Sequence, residues 1–375
     1  MGWKNIRENC KSFIKIKVVK ESLIFLVPSL EQPRVIKRIV EKSEKYRNLQ
    51  VLAFKRKIHN VNNYSKLLSI DNVQIEIIGE MADKAYFSRF LLYFKLWFHL
   101  IINFGFAKKE FYAFGLDMRI ISFFCPNKLV TYEISDIIWL YKTGTIKSII
   151  KKIDLFLAKI SYKVIFTSEG FYSKYYFHIP NDRVELLENK FQTYGKVKPI
   201  DEIKIDKIRI AYIGAFRYEN IIKNLIQYCE KNSDVELRFY GDGPKNIISY
   251  VKDSTIKSKN IFHFGAFKNP DDLEKIYDEN NINFVAYDNN LDNEKVAMPN
   301  KFYESGFFNI PIVVSTNTYV GEKVLDFGMG WEIDPTFNGI NDFFKNLTLD
   351  NIINVHKHIK NLNKSHFIIN NNGNN

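Results

Sequence analysis

The stretch MPNKFYESGFFNIPIVVS, residues 298–315, reads as a short helix, a tight turn and a buried strand. Gly306 and Pro311 punctuate it, and Ile312-Val313-Val314 is the β-branched run of a strand covered on both faces. The helix start raises a chemical question. With Asn300 as N-cap, Lys301 takes the first helical position, where the helix dipole disfavours a cation. Glu304 falls one residue too late for a capping box, which needs the acid at Tyr303.

The same strand–helix alternation extends outward from this stretch. Strand patterns recur at 208–214, 235–241, 260–265, 282–287 and 310–315, with helical patterns at 218–231, 244–253, 270–279 and 300–308 between them. Upstream, strands are expected at 22–29, 49–54, 73–78, 128–135, 163–168 and 184–189, and helices at 33–46, 84–104, 145–161 and 169–176. The polar segment 192–207, with Gly195 and Pro199, reads as a linker. Alternation at these lengths implies parallel sheets with right-handed crossovers. The fold class is therefore α/β, with two Rossmann-like domains expected to face a central cleft. The expected domains are 1–195 and 196–362, the second closing on one long helical stretch, 339–362. An Asn-rich tail, 363–375, is expected to be disordered.

Composition sets bounds on function. The 375 residues carry a net charge of +12, unevenly placed. Residues 1–195 hold 32 Lys+Arg against 18 Asp+Glu, net +14, while the rest hold 22 against 24, net −2. A basic half suits an anionic membrane or nucleic acid, or reflects no more than a Lys-, Ile- and Asn-rich composition. Cys10, Cys125 and Cys229 share no short spacing, so neither a disulfide framework nor a zinc site is readable and a reducing compartment is expected. No secretory signal is read, and the uncharged run Leu96–Ala107 falls short of the ~20 residues of a spanning helix. Phosphate-loop, nucleophile-elbow and His-Glu-x-x-His motifs are absent from the sequence. His356 and His358 are expected to be solvated.

The chemistry-bearing motifs cluster at strand ends of the second half. Gly214 ends a strand, followed by Arg217 and Lys223; FYGDGPKN carries Gly241 and Gly243; NIFHFGAFKNPDD carries Gly265 and Phe267; Asn300, Lys301 and Glu304 follow. Small residues at such ends admit a ligand to backbone amides. In this order and spacing, over about 208–334, the motifs resemble the C-terminal domain of GT-B glycosyltransferases, particularly the family 4 type of bacterial polysaccharide biosynthesis. In the first half, YEISDI and VIFTSEGFYSKY resemble that family's acceptor-domain strands.

The resemblance implies transfer of a sugar, with retention, from a nucleotide-sugar donor to a saccharide acceptor that is lipid-linked, in surface polysaccharide synthesis such as capsule or lipopolysaccharide. It places Arg217 and Lys223 on the basic pair that holds the diphosphate, and Glu304 on the glutamate that grips the ribose. Lys301 would reach the same phosphates, whose charge offsets its unfavourable place on the dipole. Gly265 to Phe267 would read the base edge. No bound cofactor or metal is implied, and no nucleic-acid partner. Of the family's two glutamates eight apart, the first would fall on Val296; Glu294 is off register and Asn300 is a polar alternative. On the acceptor side, where many relatives carry a histidine, the segment offers Glu133 and Asp136, either of which could position a hydroxyl or accept its proton. With Glu304 these are the catalytic candidates.

Plainer readings stand beside these. A lone Gly-x-Gly is more often a tight turn, Glu304 could simply pair with Lys301 at i,i+3, and Arg217 and Lys223 could be solvated. An epimerase on the same fold and an inactive GT-B-like scaffold are the competing functions. The expected location is cytoplasmic, peripheral on the inner face of the plasma membrane. Apolar positions Phe87, Phe90, Leu91, Phe94, Trp97, Phe98 and Ile101 form one helix face flanked by Lys84, Arg89, Lys95, Lys108 and Lys109, which suits a headgroup boundary. The same face could instead cover the sheet.

Overall fold

The computed structural model describes residues 20–56, 67–81, 86–105, 108–125, 128–193 and 195–369. Cys10, Lys84, the side chain of Phe87 and the expected tail at 370–375 lie outside the described residues. The chain divides into two compact units. The first comprises Met1–Ile134, Ile153–Ile165 and Asp182–Val184; the second comprises Ser135–Lys152, Phe166–Asn181 and Glu185–Asn375.

The first sheet contains β1 (Lys20–Val27), β2 (Tyr46–Arg56), β3 (Val73–Met81), β4 (Lys109–Phe114), β5 (Lys128–Ile134), β6 (Lys163–Phe166) and β7 (Val184–Leu186), in the order β3-β2-β1-β4-β5-β6-β7. Pairings β1–β2, β2–β3, β1–β4 and β4–β5 are parallel. Helix α1 (Pro33–Ser43) opens on proline, whose fixed φ and missing N–H suit a first turn. Helices α2 (Tyr86–Phe104), α3 (Leu116–Phe123) and α4 (Gly144–Lys159) follow, and α5 (Glu169–Phe171) runs on as a π turn, Tyr172–Tyr176. Leu96 and Leu100 of α2 and Met118 and Ile121 of α3 join Leu26, Phe54 and Phe111 of the strands in one core.

The second sheet contains β8 (Ile208–Ala215), β9 (Val235–Asp242), β10 (Ile261–Gly265), β11 (Ile282–Val285), β12 (Ile312–Ser315) and β13 (Gly330–Ile333), ordered β10-β9-β8-β11-β12-β13. All five neighbouring pairs are parallel. Its helices are α6 (Glu219–Lys231), α7 (Lys245–Lys257), α8 (Leu273–Asp278), α9 (Asn300–Phe308), α10 (Tyr319–Asp326), α11 (Phe337–Asn346) and α12 (Leu349–Asn361). Strand order reverses direction between β8 and β11. In doubly wound sheets the crevice outside the carboxyl ends at such a reversal is where ligands bind.

Several expectations need correction. β4 and α3 were not anticipated, nor was β13 as a sixth strand. The expected helix at 339–362 is two helices, broken at Thr348, which caps α12 in a reciprocal box with Asn351. Residues 363–369, expected to begin a tail, carry a 3₁₀ turn at Lys364–His366 and bury Phe367 completely. His356 is buried, not solvated: Nδ1 lies 2.7 Å from the Asn309 carbonyl and Nε2 3.2 Å from that of Asp201.

Candidate functional site

Gly214 stands at φ 118° where β8 ends, and Gly241 at φ 141° where β9 ends. A β-carbon on Gly241 would sit 1.9 Å from the Gly214 carbonyl oxygen, and one on Gly243 2.7 Å from the β-carbon of Phe216. The Phe216 amide donates to the Asp242 carbonyl at 2.9 Å. The Gly-x-Gly pair is thus explained by the direct approach of the loop after β9 to the loop after β8. Only Gly214 has its open side toward a candidate residue: a β-carbon there would lie 3.8 Å from Cε of Lys301.

Lys301 sits in the first turn of α9. That helix is entered through Pro299 as N-cap, with no side-chain cap, so Asn300 is its first helical residue and is exposed. The expected Asn300 cap is corrected by one position, and Lys301 moves one step into the helix. The Lys301 amine donates to Glu304 Oε2 at 2.6 Å, and the Tyr277 hydroxyl donates to the same oxygen at 3.0 Å. Both side chains are largely buried, at 14% and 3% exposure. The amine also lies 5.5 Å from the Phe267 ring centroid. The polar network continues inward: Asn283 donates to the Tyr277 hydroxyl at 3.2 Å and to Ser305 Oγ at 2.7 Å. Burial and the Glu304 charge hold the Tyr277 phenol protonated well above its usual range. The helix-pair reading of Lys301 and Glu304 is therefore realised. Lys301, Glu304, Phe267 and Gly214 are brought together.

A second group forms on the loop between β11 and α9. Glu294 is 5% exposed. Its Oε1 accepts from the Tyr218 hydroxyl at 3.3 Å, and its Oε2 has no hydrogen-bond partner among the described residues. Burial raises the Glu294 pKa and the Asp136 carboxylate adds to the rise, while a backbone hydrogen bond, Tyr218 and the Arg217 charge oppose it. Tyr141 titrates above its usual range, first through burial and then through Asp136 and Glu294, again against Arg217. Asp136 and Arg217 are both exposed. Arg217, Asp136, Tyr141, Tyr218 and Glu294 thus share one electrostatic neighbourhood within the second unit.

That neighbourhood is braced by Asn293, 3% exposed: Oδ1 accepts from the Ile137 amide at 3.0 Å and Nδ2 donates to the Tyr141 hydroxyl at 2.6 Å. Val296, on the family's first glutamate position, is a buried packing residue whose carbonyl accepts from Ser168 Oγ at 2.6 Å.

Two candidates lie elsewhere. Lys223 is ion-paired with Glu219 at 2.6 Å, one turn back on α6, and rests 5.3 Å from the Tyr250 ring. Its partners differ from the groups that feel the Arg217 charge, Tyr141, Tyr218 and Glu294, so among the described residues the expected basic pair is not assembled. Glu133 is fully buried in the first unit; Arg38 Nε lies 3.3 Å from both its oxygens and the Tyr112 hydroxyl donates to Oε2. A carboxylate so enclosed does not meet a bound molecule. Sequence reasoning missed Tyr218, Tyr141 and Asn293, whose partners lie 76 and 152 residues away. Glu294 was weighed and set aside on spacing. No group of three or more His, Cys, Asp or Glu that could hold a metal ion occurs among the described residues.

No family model and no curated protein matches the chain. Solved structures do. A sucrose-phosphate synthase from Thermosynechococcus elongatus superposes with a TM-score of 0.67 at 10% identity, covering 92% of this chain and 95% of that one. HepE from Anabaena, solved with UDP and glucose, gives 0.66 at 11% identity over 92% and 95%. A protein from Listeria monocytogenes described as a UDP-N-acetylglucosamine 2-epimerase gives 0.59 at 9% over 92% of each. The chain has the GT-B fold of two Rossmann-like domains.

Proposed function

We propose that the protein is a glycosyltransferase that moves a sugar from a nucleoside-diphosphate donor to a saccharide acceptor. The observation that carries this is Lys301: an amine in the first turn of α9, beside the open face of Gly214 and paired with buried Glu304. A diphosphate there would meet a helix N-terminus, the Lys301 amine and, on the same loop as Gly214, Arg217. As the anomeric C–O bond breaks, negative charge grows on the departing phosphate, and these fixed groups stabilise it. Glu304 would accept from the ribose hydroxyls. The unpartnered Oε2 of Glu294 offers an acceptor for a hydroxyl of the transferred sugar, in place of the glutamate missing at Val296. Asp136, exposed and close to Glu294, replaces Glu133 as the group that would position the acceptor hydroxyl.

Retention of configuration, a lipid-linked acceptor, a role in capsule or lipopolysaccharide synthesis and a place on the inner face of the plasma membrane are part of this proposal, supported by the family resemblance. So is the boundary near residue 195 between acceptor-binding and donor-binding domains. The Listeria structure favours a second reading, an epimerase on the same fold.

The test is a thermal-shift and turnover screen against UDP-, GDP- and dTDP-sugars. A true donor at 100 times its dissociation constant stabilises by about 2.7 kcal/mol. Arg217→Ala is expected to lose about ten- to a hundredfold in donor affinity, and Lys223→Ala to bind like wild type. An epimerised sugar nucleotide as the product would establish the second reading. Absence of binding, hydrolysis and transfer with every donor would leave an inactive scaffold.

A further inference from the structure

We propose that the outer face of the α2–α3–α4 helix layer seats on an anionic lipid bilayer. This does not rest on the donor site. α2 is apolar on both sides: Leu96 and Leu100 are fully buried against the sheet, yet Phe90, Phe94, Phe98 and Ile102 are 55–65% exposed. At the end of α3, Phe123 and Phe124 are also exposed, their rings 5.4 Å apart. Phe123 lies 5.9 Å from Phe156 on α4. On α4 the buried side is Asp154, Leu157 and Ala158, while Ile153 and Phe156 are exposed, as is Ile160 just past its end. Single apolar residues on a surface are ordinary, but aliphatic and aromatic side chains repeating on three elements of one layer mark an interaction surface.

Charge identifies the occupant. α2 contains no Asp or Glu. Between residues 142 and 163 stand six lysines and one acid, Asp154, which is buried and accepts from the Tyr132 hydroxyl at 2.8 Å. Asp117, on α3, is engaged by the Tyr93 hydroxyl at 2.7 Å. Two of the lysines expected to serve from α2 and its flank are otherwise occupied: Lys95 donates to the Ile78 carbonyl at 2.8 Å and Lys109 lies 3.4 Å from Ser22 Oγ, while Lys108 is exposed. Lys152 and Lys159 of α4 are exposed beside its apolar stripe. Lys147, at the far end of α4, is paired with Asp292 at 3.2 Å, but Ile153 and Phe156 beside Lys152 and Lys159 suit the boundary between acyl chains and anionic headgroups. Against a second copy, the same α4 faces would bring lysines opposite lysines, a like-charge arrangement that disfavours pairing. No described helix is long and apolar enough to cross the membrane.

The experiment is flotation of the full chain with vesicles of phosphatidylcholine alone or mixed with phosphatidylglycerol. Wild type is expected to float with the mixed vesicles, less with the neutral ones, and to be partly released by salt. Phe94→Gln with Phe98→Gln, and separately Ile153→Gln with Phe156→Gln, are expected to lower the partition coefficient about ten- to a hundredfold. Both pairs are exposed, so the melting temperature and donor hydrolysis should hold. Lys152→Glu with Lys159→Glu is expected to remove the preference for phosphatidylglycerol. Wild-type flotation by both apolar variants overturns the proposal, as does failure of wild type to float with either vesicle. Self-association of wild type that the Phe156 variant abolishes, without flotation, assigns the face to a second copy instead.

Discussion

Glu294 shows what a single residue can hold in readiness. Its carboxylate is buried, one oxygen lacks a hydrogen-bond partner among the described residues, and a neighbouring acid opposes its ionisation. An unsatisfied buried polar group costs about 1–3 kcal/mol, and strain of this kind persists at sites where a ligand relieves it. The raised pKa fixes the sign of the pH dependence. The ionised form is the penalised one, so the penalty is present above the folded-state pKa and disappears as pH falls through it. Glu294→Gln should therefore melt a few degrees higher than wild type at about pH 7, with the gain vanishing toward about pH 4. Donor turnover should fall at the same time. A variant that melts lower at neutral pH, or turns over normally, would show Glu294 to be an ordinary core acid. The residue was readable in the sequence only as an acid ten positions before Glu304, two off the family's spacing. Its burial and its Tyr218 contact are tertiary facts that no local pattern encodes. Glu133 failed in the opposite direction: an acid at the end of a strand pattern was taken for an exposed group, and Arg38, 95 residues away, buries it.

Among the elements, those bounded by glycine, proline or an abrupt change of period were legible, and those without such punctuation were not. β4, KEFYAF, follows an aromatic-rich helix with Gly105 as the one breaker and is buried along most of its length, so periodicity cannot separate it from the apolar run before it. The break between α11 and α12 was missed because Thr348 boxes with Asn351 rather than with Glu or Gln. α9 and α12 are joined by a contact that sequence placed in solvent. Asn309 ends α9 in the left-handed region at φ 64°, and its carbonyl and that of Asp201 meet the two ring nitrogens of His356. His356→Ala should cost about 1–3 kcal/mol through the buried Asn309 carbonyl it leaves unmet, since that of Asp201 still accepts from Lys360, lowering the melting temperature with donor affinity unchanged. His358→Ala, at an exposed position, should stay within about 0.5 kcal/mol. Equal melting of the two variants in a calorimeter would remove His356 from the packing of α12.

For the whole molecule, charge and candidate chemistry separate by unit. The first unit holds 26 Lys+Arg against 14 Asp+Glu, net +12, and the second 28 against 28, whereas Gly214, Arg217, Glu294, Lys301 and Glu304 all belong to the second unit, as do Asp136 and Tyr141 from the segment 135–152. Each unit has its own apolar core, so each can respond to a ligand separately. A nucleoside diphosphate that binds only the folded second unit stabilises that unit by mass action and leaves local opening in the first unit unchanged. Hydrogen exchange of the full chain, with and without UDP or whichever diphosphate the donor screen selects, reads this directly. Slower exchange is expected in three places: the end of β8 with its following loop through Arg217, the loop from Tyr287 to Pro299 with the first turn of α9, and Ser135 to Tyr141. The buried strands of the first unit, β1 and β4, should exchange at the same rate in both states. The third segment is the most discriminating, because Asn293 ties it to Glu294 through the Ile137 amide and the Tyr141 hydroxyl. Protection confined to α6 and α7 around Lys223, or spread evenly over both units, would place the diphosphate elsewhere and with it the chemistry assigned to Lys301 and Glu294.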